Sequence, residues 1–161
     1  MRKFSLLFWC LALISTHVYC QAVNDTIRNF PKKLTDTLLQ FDAQKGEVYY
    51  LAPGNKRNSN NKTKINGYII KEKLHVDSTK LDHILDILTD SANFINNGIT
   101  KSCAFEPQFY LEILDPCDNK IHIVISFSCQ QVAIVTADFK RILSFGDFSK
   151  KGISFFSELP K

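Results

Sequence analysis

The chain has 161 residues, of which 45% are apolar and 22% charged, and it carries a formal charge of +4. That balance is too apolar and too weakly charged for a disordered chain. No apolar run reaches the roughly 18 residues of a spanning helix, and the mild positive charge is not clustered as a nucleic-acid-binding face requires.

The N-terminus reads Met1-Arg2-Lys3, followed by an 11-residue apolar run, Phe4 to Ile14. A basic start and a short apolar core are the pattern of a secretory signal helix. Small residues allow a cut after Cys20 or after Ala22, so residues 1–20 are expected to leave and 21–161 to form a single domain. The alternative is a lipid anchor on Cys20. Tyr19 is bulky where a lipoprotein signal carries a small residue, so lipidation is the lesser reading. Losing residues 1–20 also removes Arg2 and Lys3, leaving 18 bases against 16 acids. The expected location is secreted or periplasmic, with no transmembrane span and no nucleic-acid partner.

After Pro31, a favourable first helical residue, Leu34, Leu38 and Phe41 recur at helical spacing, and Gly46 is expected to end that helix. Residues 47–51 are rich in β-formers. A polar loop from Asn55 to Lys64 then carries Lys56, Arg57, Lys62 and Lys64 with no acid. Beyond it, Tyr68, Ile70, Leu74 and Val76 share one parity of a strand, so residues 47–76 are expected to form a hairpin with a long basic tip. Asp77-Ser78-Thr79 offers N-cap oxygens for a helix whose stripe is Leu81, Ile84, Leu85, Leu88, Ala92 and Ile95. From Cys103 the period becomes two. Strands are expected over 103–113, 121–129, 132–136 and 141–145, with a short C-terminal helix after Ser149 burying Ile153, Phe156 and Leu159. Strands that follow one another, with helices before and after, imply an α+β fold: a mainly antiparallel sheet of five to six strands with two to three packing helices.

The mature chain keeps Cys103, Cys117 and Cys129. An exported chain permits a disulfide. Cys103 and Cys129 both fall on apolar strand faces and become diagonal neighbours if Ile113 opposes Ile121. That diagonal, about 7–8 Å, is slightly long for a bond unless a bulge at Pro107 closes it. The expected bridge is therefore Cys103–Cys129, with Cys117 left over in the turn. Two buried free thiols are the competing reading. A metal site is disfavoured by the long spacing of the cysteines.

Cys103-Ala104-Phe105-Glu106-Pro107, an apolar strand, and Ile125-Ser126-Phe127-Ser128-Cys129 together resemble a family of bacterial exported proteins. That family carries Cys-x-Phe-x-Pro and a strand ending in Cys-Phe-x-Cys. The resemblance covers roughly residues 66–160 and implies a shared fold and export, without an assigned activity. Ser126 stands where the family often has another cysteine, which removes a thiol from any metal or redox cluster.

The sharpest catalytic candidates are His75, Asp77, Asp82 and His83, but a strand face, a helix cap and a helix exterior explain them as solvated surface. His122 is expected on the exposed face of its strand. Cys117 in a turn is a conceivable nucleophile, although no basic neighbour in sequence lowers its pKa. Tyr49, Tyr50 and Tyr68 flank the basic loop and suit a sugar-stacking surface. Asn24 and Asn61 begin glycosylation sequons, which matter only in a eukaryotic source. No cofactor motif occurs. The residues favour a small exported binding or envelope-accessory module, contacting an anionic envelope component or glycan through Lys56, Arg57, Lys62 and Lys64. The alternative is a secreted or periplasmic enzyme using Cys117 or the His75/His83 region.

Overall fold

The computed structural model describes residues 34–53, 63–95 and 103–158, all within one compact unit, Pro31–Lys161. Seven strands make one sheet: β1 (Lys45–Ala52), β2 (Lys64–Ile65), β3 (Tyr68–Val76), β4 (Phe109–Leu114), β5 (Lys120–Ser126), β6 (Gln131–Val135) and β7 (Ile142–Asp147). Their order is β2-β3-β1-β4-β5-β6-β7, and every neighbouring pair is antiparallel. Among the described residues three helices accompany them: α1 (Leu34–Leu39), α2 (Ser78–Thr89) and α3 (Lys150–Glu158). The α+β expectation holds. The strand beyond the expected five to six comes from β2, only two residues long.

The helix ends differ from the expected ones for local reasons. α1 buries Leu34 and Leu38, and Phe41 is buried just beyond it. The helix stops at Leu39 rather than at Gly46, because Gln44 N already donates to Leu114 O at 2.8 Å and draws the chain into β1. Gly46 is instead a strand residue lying under α2, where an added Cβ would come 3.0 Å from Leu81 Cδ1. α2 is capped as its sequence implied, with Lys80 N donating to Asp77 Oδ1 at 2.9 Å. It ends at Thr89 because Asp90 turns extended and caps a new short 3-10 turn, donated to by Ala92 N at 2.9 Å. The buried stripe is thus Leu81, Ile84 and Leu88, while Ala92 and Ile95 are exposed.

One sheet face carries the helices. Val48, Leu111, Ile113, Ile123, Ile125, Val132 and Ile134 alternate onto it and are almost wholly buried. Phe109 meets Phe156 of α3 edge-on at 5.5 Å, and Phe148 packs on Phe156 at 5.4 Å. Each such side chain contributes about 1.5–3 kcal/mol of burial. The other face curls on itself around a second cluster: Tyr49, Leu51, Tyr110, Val124, Ala133 and Val135, with Ile65, Tyr68, Ile70, Phe105 and Phe139 packed against it. Asn66 Nδ2 of the β2–β3 turn donates to Ala137 O of the β6–β7 loop at 2.6 Å, so the two ends of the strand order meet.

A bulge makes both faces possible. Tyr50 pairs with Glu72 but Leu51 with Ile70, so Lys71 is an extra residue. The extra residue flips the side-chain alternation. Leu74 and Val76 therefore face the helices beside Val48 and Gly46, while Tyr68 and Ile70 enter the curled-face cluster. The expectation that all four share one face fails at this residue. The β4–β5, β5–β6 and β6–β7 hairpins repeat one turn. In each, a backbone N–H donates three residues back from a residue with positive φ: Asp118 (58°), Gln130 (54°) and Phe139 (58°). Glycine is the usual occupant of that position.

Candidate functional site

The chemistry on the curled face is built from a mirrored pair of triplets. Glu47-Val48-Tyr49 on β1 and Tyr110-Leu111-Glu112 on β4 run antiparallel, so Glu47 opposes Glu112 and Tyr49 opposes Tyr110. His75 pairs with Glu47 on the β3 side and His122 with Glu112 on the β5 side. The result is a transverse row, His75–Glu47–Glu112–His122, with the stacked rings of Tyr49 and Tyr110, 5.2 Å apart, in the adjacent row. Two like charges opposite each other destabilise a sheet unless they are compensated. Here each carboxylate has its own cation and phenol. Glu47 is contacted by Lys73 Nζ at 2.7 Å and accepts from the Tyr49 hydroxyl. Glu112 takes Lys120 Nζ at 2.8 Å and the Tyr110 hydroxyl at 3.0 Å.

Those contacts set the protonation states. The donors Lys73 and Tyr49 hold the Glu47 carboxyl below its usual range. Burial, then the neighbouring carboxylate, pushes the Tyr49 phenol up, and the more deeply buried Tyr110 is raised further for the same reasons. Glu47 and Glu112 raise the ammonium pKa of Lys73 and of Lys120 respectively. A phenol has one proton, and Tyr110 gives it to Glu112. The 2.8 Å contact between Tyr110 Oη and His122 Nδ1 then has the imidazole donating, which assigns the Nδ1–H tautomer and leaves Nε2 as the acceptor. Burial holds His122 below its ordinary pKa against the opposing pull of Glu112. His122 is thus half-buried and engaged, not exposed on its strand. The row was legible only as two short reversed triplets; nothing local indicates that β1 pairs with β4, 57 residues of chain beyond it.

The cysteines are all oxidised among the described residues. Cys103 and Cys129 form a disulfide with Cα atoms 5.9 Å apart. The diagonal-strand geometry does not apply, because residues 103–107 lie outside any strand and β4 starts only at Phe109. The β4–β5 register does match, with Ile113 opposite Ile121. Cys117 is also disulfide-bonded, so it is neither a spare thiol nor a nucleophile as it stands. Its turn is built on the buried Asp115, whose Oδ1 accepts from Cys117 N at 2.8 Å and Asn119 N at 2.9 Å.

The histidines proposed from sequence are not brought together. His75 belongs to the curled-face row, whereas His83 lies on α2, against the opposite face, in an open groove of about 490 Å³ between α2 and α3. Asp86, Asp90, Lys151 and Glu158 also line that groove, and His83 meets the Phe155 ring edge-on at 4.7 Å. No group of three or more metal-ligating side chains occurs among the described residues. The three tyrosines do not form one surface: Tyr49, stacked on Tyr110, and Tyr68, beside Phe139 at 6.3 Å, both join the curled-face cluster, whereas Tyr50 packs edge-on against Phe109 on the helix face. Of the basic-loop residues, Lys64 lies on β2 and is exposed; Lys56, Arg57 and Lys62, like the signal segment and both sequons, lie outside the described residues. No helix among the described residues is long and apolar enough to cross a membrane. No protein-family model matches the chain, and no curated protein or solved structure matches it significantly.

Proposed function

We propose that this chain is an exported binding or envelope-accessory module, related to the bacterial exported family it resembles, whose contact surface is the basic stretch Asn55–Lys64 between β1 and β2. The observation that carries this reading is the position of β2 at the edge of the sheet, where Lys64 is exposed; in sequence it directly follows the acid-free stretch bearing Lys56, Arg57 and Lys62. A bridged pair of cysteines suits an oxidising compartment. The ligand would be an anionic component of the envelope. Replacing Lys56, Arg57, Lys62 and Lys64 together by Gln is expected to abolish retention on isolated cell envelopes while the unfolding midpoint stays unchanged. Undiminished retention would sink the proposal.

The enzymatic alternative rests on His83, which lines the groove between α2 and α3. His83→Ala should then abolish a turnover that His75→Ala leaves intact. Equal activity of both variants would count against it.

A further inference from the structure

We propose that β7 is a dimerisation edge, pairing antiparallel with β7 of a second copy of this chain about a two-fold axis at Ser144. β7 ends the strand order. The other end is blunted, since β2 is only two residues long, whereas β7 has six. Phe148 N donates to Gln130 O at 2.8 Å, and the pairs Gly146–Val132 and Ser144–Ile134 follow at two-residue steps. Those residues bond towards β6, so the N–H and C=O of the intervening Phe145 point away from the sheet. Asp147 points the same way, but its carbonyl is taken by Ile95 N at 2.8 Å. The open edge therefore runs from Ile142, where β7 begins, to Gly146. The Asn66–Ala137 hydrogen bond closes the curl at the loop before β7 and leaves the Phe145 end open.

The side chains suit an interface. Ile142 and Phe145 are 57% and 58% exposed. They pair with Val135 and Ala133, which both belong to the curled-face cluster. The extra residue Leu143 thus puts the two apolar side chains on one face instead of opposite faces. Only two other large apolar side chains are exposed among the described residues, Leu39 and Ile95. Ile95 is the residue bonded to Asp147. Leu39 ends α1, whose Leu34 Cδ2 lies 3.7 Å from where a Cβ at Gly146 would stand. All four belong to β7 or to segments lying against it, and exposed apolar side chains gathered at an open strand edge mark a pairing site.

The charge order of the strand selects a second copy as the occupant. Lys140 and Arg141 precede β7, and Asp147 ends it, its Oδ1 accepting from Gln131 Nε2 at 2.8 Å. Antiparallel pairing centred on Ser144 sets residues 142–146 of one copy against 146–142 of the other, so it fills the open edge and stops short of Ile95. It brings Arg141 of each copy towards Asp147 of the other and sets Phe145 against Leu143. A parallel pairing would instead align like charges.

The test is sedimentation equilibrium of the full mature chain between about 1 and 100 µM. Wild type should be dimeric at the upper end. Phe145→Lys and Ile142→Glu should each weaken self-association by about tenfold or more, with near-UV dichroism unchanged because both side chains are exposed. If one of these two loses its near-UV spectrum, the other decides. Arg141→Glu and Asp147→Lys should each weaken association about threefold. An equimolar mixture of those two should associate as wild type does, because every opposite-charge pair is restored across the axis. A wild type that stays monomeric to about 100 µM overturns the proposal, even if β7 then accepts an extended segment of another protein. A dimer that Phe145→Lys and Ile142→Glu both leave intact overturns it too, since its interface lies elsewhere. A mixture that fails to recover association refutes the antiparallel register.

Discussion

Gly152 and His122 show how single positions hold this molecule. Gly152 lies in the first turn of α3, against the 3-10 turn, where a Cβ would meet Asn93 O at 2.5 Å and Phe148 Cδ1 at 2.9 Å. Asn93 is itself pinned, its Nδ2 donating to Ile87 O at 3.1 Å and its carbonyl accepting from Ser149 N at 2.8 Å. Since the obstructing atom is backbone, Gly152→Ala is expected to cost about 1–3 kcal/mol in urea unfolding; an unchanged midpoint would refute the close approach. His122 makes a pH prediction. Its folded-state pKa lies below the ordinary 6.5 because of burial, so on acidification the unfolded chain takes up the proton first. The stability tied to the neutral ring is present above about pH 6.5 and lost as the pH falls through the folded value. Glu47 acts in the same direction in a lower window, below the ordinary carboxylate value of 4.5. Stability measured from pH 7 to 5 should therefore decline in wild type and stay flatter in His122→Gln, while the fall below pH 4.5 persists in both.

At the scale of elements, the bulge in β3 decides what each residue of that strand does. The alternation of Tyr68, Ile70, Leu74 and Val76 was visible in the sequence, and it implied one buried face. The structure buries two faces and uses Lys71 to change parity between them. Substituting Lys71 by Thr should cost under about 0.5 kcal/mol, because the side chain is exposed. Deleting it forces Tyr68 and Ile70 onto the helix face or Leu74 and Val76 off it, and should abolish cooperative unfolding. A deletion variant with wild-type near-UV dichroism would disprove the parity argument. The caps were more legible. Asp77 before α2 acts within three residues, so local sequence suffices. Asp90, which ends α2 by capping the next turn, was hidden by the continuing apolar periodicity of Ala92 and Ile95.

At the scale of the whole molecule, the sheet closes two clusters with one layer, and the disulfide ties the entry to β4 to the β5–β6 turn. The Cys103–Cys129 bridge closes a loop of 26 residues, for which chain-entropy arguments give about 3 kcal/mol. Replacing both cysteines by Ser should lower stability by that order, with the far-UV spectrum unchanged. No loss of stability would mean that the bridge only decorates a loop already ordered by Gln108, whose N donates to Ile125 O at 3.0 Å and whose Oε1 accepts from Phe127 N at 2.7 Å.

The sequence by itself determined the elements and their chemistry at short range: the α2 cap and its Leu81/Ile84/Leu88 stripe, the antiparallel strands and the β4–β5 register. Each follows from side-chain period or turn geometry within a few residues, or within one hairpin. Only the tertiary structure decided the pairing of β1 with β4, which mirrors Glu47/Tyr49 onto Tyr110/Glu112 and buries His122. It alone decided the curl that sets Phe139 beside Tyr68 and Ala137 against Asn66. Those juxtapositions depend on contacts between segments about 60 to 75 residues apart, where loop entropy, burial and charge compensation are settled together and no local pattern records the outcome.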